Sequence, residues 1–209
     1  MIRYKYPRTP HLPWSPGNTH DDIFLVNTNV LKGKEVIVTE KMDGENTTIY
    51  QDCTHARSVN SANHSSRSWV KALQAKLSSD IPDNWRLCGE NLFAQHSIAY
   101  ENLESYFYLF AIFNDQNICL SWQETREWAS LLNLPLPHVL FEGTYDEEVI
   151  KNIEINTDQS EGYVVRLCSS FHYEEMGNSL GKWVRTNHVQ TDIHWLHSEI
   201  KMNRLRRDP

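Results

Sequence analysis

Lys41 lies in the run Glu40-Lys41-Met42-Asp43-Gly44-Glu45-Asn46, a lone lysine bracketed by carboxylates, closed by a glycine and preceded by the apolar stretch Val36-Ile37-Val38. These residues suit one chemistry in particular, attack of an amine on a nucleotide phosphate. A free lysine has a pKa near 10.4, so roughly one amine in two thousand is neutral at pH 7 and able to act as a nucleophile. Neighbouring cations, whether a divalent ion or Lys and Arg side chains, must depress that value, helped by partial burial beside a strand. The rest of the chain is therefore expected to hold those cations and the acids that anchor a metal. Taken alone, Lys-x-Asp-Gly also reads as a strand end entering a turn, with Asp43-Gly44 supplying a φ > 0 position.

Further segments carry the same chemistry. Trp85-Arg86-Leu87-Cys88-Gly89-Glu90-Asn91-Leu92 reads as a buried strand with one acid, and Tyr106-Phe107-Tyr108-Leu109-Phe110-Ala111-Ile112-Phe113 as an aromatic strand. Ser160-Glu161-Gly162-Tyr163-Val164-Val165-Arg166 and Gly181-Lys182-Trp183-Val184-Arg185 come later. In this order and at these separations, the segments resemble the covalent nucleotidyltransferase superfamily of polynucleotide ligases and RNA capping enzymes. Within it they are most similar to the ATP-dependent RNA ligases of the RNA ligase 2 type. Glu-Lys-x-Asp-Gly-x-Asn resembles the nucleophile motif, and Ala56-Arg57-Ser58 falls where the next motif is expected. Gly89-Glu90-Asn91, Phe107-Tyr108-Leu109-Phe110, Glu161-Gly162 and Lys182 follow in family order. The opening Pro7-Arg8-Thr9-Pro10-His11-Leu12-Pro13-Trp14-Ser15-Pro16-Gly17 and the closing His188-Val189-Gln190-Thr191-Asp192-Ile193-His194-Trp195 resemble a compact, single-domain bacterial and phage branch. Any one motif is cheap, but the ordered set is not.

The resemblance implies a fold and a set of roles. The fold is α+β, an ATP-grasp-like nucleotidyltransferase core of antiparallel sheets with a few flanking helices and no oligonucleotide-binding barrel. Lys41 would attack the α-phosphate of ATP to give a lysyl-AMP phosphoramidate. The AMP would pass to an RNA 5′-phosphate, and a 3′-hydroxyl would then displace it. Mg²⁺ or Mn²⁺ would share the phosphoryl charge, held by Glu161 with Glu90 and Asp43 as further candidates. Glu90 is also expected to accept from the ribose hydroxyl, Glu40 from the adenine amino group, and Phe110 to stack on the base. Arg57 and Lys182 would meet the sugar–phosphate side, Lys182 at the α-phosphate, where it would help lower the Lys41 pKa. Asn46 matches a position linked to catalysis. Two residues after Lys182 the family places a second cation, but here that residue is Val184. Arg185 is the nearest substitute, and strand alternation turns it to the opposite face. The alternatives are surface acids for Glu90 and Glu161 and core packing for Phe110. The implied partner is RNA with 5′-phosphate and 3′-OH ends, with room for an accessory protein supplying end healing or RNA binding. A DNA ligase, a GTP-using capping enzyme and a non-catalytic nucleotide-binding relative are the competing functions.

Length and composition bound the rest. The 209 residues suit one nucleotidyltransferase domain over 1–209, with 1–22 an N-terminal arm and 186–209 a C-terminal extension. After Lys182 only 209 − 182 = 27 residues remain, too few for a barrel domain. Hydrophobic residues make up 40%, with seven Trp, which excludes a disordered chain. No apolar run approaches ~18 residues and the start is not signal-like, so a cytoplasmic protein away from membranes is expected. The net charge of −7 does not by itself predict a nucleic-acid partner, although Lys201-Met202-Asn203-Arg204-Leu205-Arg206-Arg207 is locally basic and reads as a helix end or an RNA contact. Cys53, Cys88, Cys119 and Cys168 form no metal or disulfide pattern, and His188, His194 and His197 match no standard zinc spacing. Gly177-Asn178-Ser179-Leu180-Gly181-Lys182-Trp183 has three residues between its glycines and Trp after the lysine, which excludes Walker A.

The elements that must position these residues follow from periodicity. Strands are expected near 35–41, 46–52, 55–59, 86–93, 105–113 and 117–121, with Asn114-Asp115-Gln116-Asn117 turning between the last two. Trp69, Val70, Leu73 and Leu77 mark a helix after Ser65-Ser66, ending before Pro82. Ser121 and Glu124 cap a second that buries Trp128, Leu131 and Leu132, and Thr144 and Glu147 cap a third carrying Val149, Ile150 and Ile153. The arm, with four of the eight prolines, is expected to wrap the surface.

Overall fold

A computed structural model describes residues 2–17, 22–186 and 200–206. In chain order the elements are β1 (Glu35–Lys41), β2 (Glu45–Tyr50), β3 (Thr54–Ala56), α1 (Ser68–Leu77), β4 (Arg86–Asn91), β5 (Phe107–Phe113), β6 (Ile118–Cys119), α2 (Trp122–Leu131), β7 (Val139–Thr144), α3 (Glu147–Lys151), β8 (Gly162–Leu167), β9 (Phe171–His172), α4 (Met176–Ser179) and β10 (Leu180–Val184). The strands form two antiparallel sheets, one ordered β10-β8-β1-β7 and the other β3-β2-β4-β5-β6-β9. This is the α+β architecture expected from the sequence.

Consecutive strands β1 and β2 do not pair with each other. β1 lies in the first sheet and β2 in the second, so Met42-Asp43-Gly44 is the corner between them. Lys41 thus ends the β1 strand of one sheet and Glu45 begins the β2 strand of the other. Gly44 does not take the positive φ that a hairpin reading gives it. Its glycine is required by close approach, since a Cβ there would stand 2.6 Å from the Asn91 carbonyl oxygen.

One apolar cluster runs from Val36, Val38, Val165 and Leu167, on the face of the first sheet opposite that of Lys41, to Cys88, Ala111, Phe113 and Cys119 of the second. A second lies on the outer face of the six-stranded sheet, where Ile49, Leu87, Phe107, Leu109 and Ile112 meet Val70 and Leu77 of α1 and Ala129 of α2. β5 serves both clusters because its pairing with β4 slips between Cys88 and Gly89, which oppose Ala111 and Leu109. Phe110 is the extra residue of that bulge. Phe107 and Leu109 face outward before it, Ala111 and Phe113 inward after it, and Phe110 is packed against the inner cluster.

Several expectations are adjusted by the packing. The Ser121–Glu124 capping box is present, but α2 buries Trp122, Thr125 and Ala129, while Leu131 is exposed at the helix end. The cap of α3 is Asp146, which accepts from the Glu148 and Val149 amides; Thr144 instead ends β7, a strand the sequence reading did not anticipate. Asn114 closes its turn through Oδ1, which accepts from Gln116 and Ile118, and Asn117 takes φ +62°. The N-terminal arm is more than a surface wrap, because Leu12 is fully buried in the inner cluster. Residues 200–206 are not a helix; Met202 and Leu205 form isolated bridges to Ala94 and Leu103, and Asn203 is buried. All four cysteines are free, with Cys88 and Cys119 buried. His188, His194 and His197 lie outside the described residues. Among the described residues, no helix is long and apolar enough to cross a membrane.

Gly162 opens β8 opposite Lys41 and Val184 with φ +157°, and a Cβ there would lie 1.9 Å from the Trp183 carbonyl oxygen. Gly162→Ala must push β10 from β8, and is expected to cost about 1–3 kcal/mol or more, measured as a lowered urea midpoint.

Candidate active site

Strand register alone explains why two lysines share one wall. Thr39 of β1 pairs with Val164 of β8, and Val164 with Lys182 of β10; one row further, Lys41 pairs with Gly162 and Gly162 with Val184. Paired residues point to the same side of a sheet, so Lys41 and Lys182 project from one face, separated by β8. The opposing wall comes from the inner face of the second sheet. Asn46 of β2 pairs with Glu90 of β4, and Phe110 projects from the β5 bulge. Between the walls is a cavity of about 520 Å³, lined by Glu40, Lys41, Asp43, Asn46, Arg57, Glu90, Phe110, Glu161 and Lys182 among others. The volume falls in the ordinary range of small-ligand sites.

An ion pair ties Lys41 to the cavity wall. Lys41 Nζ donates to Glu161 Oε2 at 2.5 Å, with the glutamate 3% exposed. Burial works against the charge on Lys41, but Glu161, Glu90 and Asp43 together outweigh it, and the amine's pKa is raised. The expected depression is therefore reversed by the protein's own carboxylates. It falls on Lys182 instead, lowered first by burial and then by the Lys41 charge. Glu90 is pushed up to about 8 by burial, against the pull of Lys41 and with Glu161 and Asp43 adding to the rise. Its Oε1 accepts the Gly44 amide at 3.1 Å. Glu40 is also raised, again chiefly by burial, with Ser160 and His138 opposing.

Eight of the nine anticipated residues other than Lys41 line the cavity; Arg185 does not. It follows the end of β10 with the opposite facing from Lys182 and Val184, and its guanidinium reaches Ser97 at 3.3 Å. Asp43 lines the cavity but is already engaged. Its Oδ2 accepts from Ser97 Oγ at 2.7 Å and from the Ile98 amide at 2.8 Å, and its own amide donates to Tyr100 at 2.9 Å. Through that oxygen the carboxylate anchors the 97–100 loop to the corner after Lys41. Asn46 Oδ1 is buried without a hydrogen-bond partner.

The sequence reading missed several lining residues. Arg67 holds Glu45 through two hydrogen bonds of 2.7 and 2.5 Å, fixing the start of β2 beside Arg57. Arg166 spends its guanidinium on the Phe110, Leu120 and Leu167 carbonyls, tying the sheets together at the cavity floor. Tyr6, Arg8 and Asp22 arrive from the N-terminal segment. Arg67 and Glu45 gave no local signal because their pairing spans 22 positions, and the arm offered only its prolines.

Residues 34–184 match the family described as RNA ligase. No curated protein matches the chain. Among solved structures, a lysine-to-alanine mutant of the Naegleria gruberi RNA ligase with ATP and Mn aligns with a TM-score of 0.54 and 21% identity, over 77% of this chain and 52% of that one. A putative ATP-dependent DNA ligase from Aquifex aeolicus gives 0.54 and 23%, over 87% and 50%. An archaeal ATP-dependent RNA ligase gives 0.56 and 17%, over 88% and 48%. At these identities the likeness establishes the fold, and the chain spans about half the length of these structures.

The raised Glu90 pKa has a consequence for stability. Between its unfolded value of about 4.5 and its folded value of about 8, the folded protein binds more protons than the unfolded chain, so stability falls as pH rises through that window. Glu90→Gln removes the titration. Without added metal or nucleotide, its urea midpoint relative to wild type should climb from pH 5 to pH 8 and then level off.

Proposed function

The chain belongs to the RNA ligase family, and on that basis we propose that it is an ATP-dependent RNA ligase of the RNA ligase 2 type, from the compact bacterial and phage branch, working as a single nucleotidyltransferase domain. The observation that carries this reading is the Lys41–Glu161 pair on the cavity wall, with Lys182 on the same face. A lysine placed only for stability has no need of a cavity large enough for a nucleotide.

In the proposed reaction Lys41 Nζ attacks the α-phosphorus of ATP. The N–P bond forms, the bond from that phosphorus to the bridging oxygen breaks, and pyrophosphate leaves. The amine must first lose a proton, and Glu161 is the acceptor in contact with it. Lys182 would meet the developing charge on the α-phosphoryl oxygens, and Arg57 at the open side would meet the sugar–phosphate edge. Phe110 would offer its ring to the adenine, Glu40 would accept from the exocyclic amine, and Glu90, protonated near neutrality, would exchange a hydrogen bond with the ribose. The adenylate then passes to an RNA 5′-phosphate, and the 3′-hydroxyl of a second end displaces AMP.

The donor set fits a hard divalent cation such as Mg²⁺ or Mn²⁺. Glu161 supplies a buried carboxylate, and Asn46 Oδ1 is an oxygen with no protein partner. Bound there, the ion would share the phosphoryl charge and offset the carboxylate field that keeps Lys41 protonated. Asp43 is assigned to holding the corner, and Arg185 to the Ser97 contact.

Incubation with α-labelled ATP and Mg²⁺ or Mn²⁺ should leave one adenylate on the protein through an acid-labile, alkali-stable bond. Lys41→Ala should abolish the label while remaining folded by circular dichroism. Absence of label on the folded wild-type chain, across both ions, would sink the reading. Chasing labelled protein with 5′-phosphorylated RNA or DNA ends then tests the acceptor, with transfer to RNA expected.

A further inference from the structure

The N-terminal segment lies outside residues 34–184, the stretch matched to the family, yet it enters the cavity. Its backbone runs alongside β10: the Lys182 amide donates to the Pro10 carbonyl at 2.8 Å, and the Leu12 amide to the Lys182 carbonyl at 2.7 Å. On its other side His11 donates to the Ile23 carbonyl at 2.6 Å and accepts from Leu25 at 2.8 Å. This double pairing sets Asp22, the residue before Ile23, on the cavity wall. One carboxylate oxygen of Asp22 lies 3.8 Å from Lys182 Nζ and the other 3.4 Å from His11 Nε2.

His11 is 1% exposed, and its pKa is lowered to about 4 by burial first and then by the Lys182 charge, with Asp22 opposing. It is therefore neutral at pH 7, with one ring nitrogen donating and the other accepting. Its Nδ1 is 2.8 Å from Ser15 Oγ, and that oxygen already accepts the Val184 amide at 2.9 Å. The Ser15 hydroxyl can then give its proton to Nδ1, which leaves the N–H on Nε2, facing Asp22. The result is a row of polar groups, Ser15, His11, Asp22 and Lys182, buried at one end and open to the cavity at the other, in which Nε2 makes no hydrogen bond and Asp22 acts on its two neighbours as a nearby charge.

We propose that Asp22 is a positioning residue for the reaction: it holds the Lys182 ammonium in line with the phosphate site beside Lys41, and His11 orients it. The inference rests on the functional reading above. A lysine head on a four-carbon stem is a mobile point charge, and a side-on carboxylate fixes its direction while leaving donors for phosphoryl oxygens. The counter-ion also offsets the burial that disfavours the charged amine.

The test uses the full chain. The maximal rate of lysyl-adenylate formation and the apparent KM for ATP are measured for wild type, Asp22→Asn, Asp22→Glu, Lys182→Ala and the double variant Asp22→Asn/Lys182→Ala. Asp22→Asn should lower the maximal rate by about 10- to 100-fold with a much smaller change in KM. Asp22→Glu should restore most of the rate, and adding Asp22→Asn to Lys182→Ala should cost little more. An undiminished rate in Asp22→Asn, or equal losses with and without Lys182, overturns the proposal. A second readout does not need activity: reductive methylation followed by mass spectrometry should find Lys182 more reactive in Asp22→Asn and unchanged in Asp22→Glu. A wild-type chain that never labels refutes the ligase reading, while the methylation pattern still decides the clamp. If Asp22→Asn fails to fold, His11→Gln replaces it, with the same direction of effect expected in both assays and no change in either counting against the proposal.

Discussion

The corner at Met42-Asp43-Gly44 is the constraint on which the rest of the structure depends, because it forces a charged residue to the seam between two sheets. β1 must leave its sheet where Lys41 faces the interior, and β8 begins opposite it just after Glu161. An ion pair of 2.5 Å is the result. Removing both charges from water costs several kcal/mol each, and the pair recovers that only if its geometry is held. The surrounding structure supplies the rigidity. Asp43 pins the 97–100 loop, Gly44 donates to Glu90, and Gly162 lets the Trp183 carbonyl approach. The segment around Lys41 is therefore a piece of folding machinery, whatever chemistry it carries: its aspartate and glycine hold the corner that aims the lysine.

What could be read from the sequence was what is local. β1 runs over the expected 35–41, the Ser121–Glu124 capping box forms, and the Asn114 turn closes through its own side chain. The eight residues gathered around Lys41 were identifiable because strand ends and ordered motifs announce them. Properties set by contacts distant in the chain were not readable. The sign of the Lys41 shift depends on Glu161, which is 120 residues away. The aim of Phe110 depends on a one-residue slip against β4, for which an aromatic run gives no cue. The competition between Thr144 and Asp146 as a cap was decided by β7, a strand that claims Thr144 for its own last pair with Glu35.

The N-terminal segment illustrates the same division. Its prolines were read as a surface strap, since Pro removes a donor and resists regular structure. Between those prolines, however, the Leu12 amide and the Pro10 carbonyl remain available, and both are taken by Lys182. Pro7, Pro10, Pro13 and Pro16 thus leave a spaced set of bonding residues that can pair with a strand edge without extending the sheet indefinitely. The edge of β10 is covered, and a lysine of the cavity wall is held by its backbone with the Asp22 carboxylate beside its ammonium.

Charge settles how such a cavity could accept a polyanion in a protein of net charge −7. Among the described residues its lining carries six cations, Arg8, Lys41, Arg57, Arg67, Arg166 and Lys182, and six acids, Asp22, Glu40, Asp43, Glu45, Glu90 and Glu161. The formal balance is zero, but the members are not equivalent. Arg67 is spent on Glu45 and Arg166 on backbone carbonyls, while Asp43 is spent on Ser97 and Ile98. Glu90 is protonated at neutral pH, since its pKa stands at about 8. On the positive side stand Arg8, Lys41, Lys182 and the exposed Arg57, set against Glu40, whose carboxyl burial also pushes up, and Glu161 and Asp22, each already beside a lysine. A triphosphate therefore enters a field that is only weakly positive, and a divalent ion on Glu161 would tip it twice over, adding positive charge and freeing Lys41 from the carboxylate that holds its proton. On the proposed reading the acidity of the chain would not oppose nucleotide binding; it would make binding and activation of Lys41 depend on the same ion.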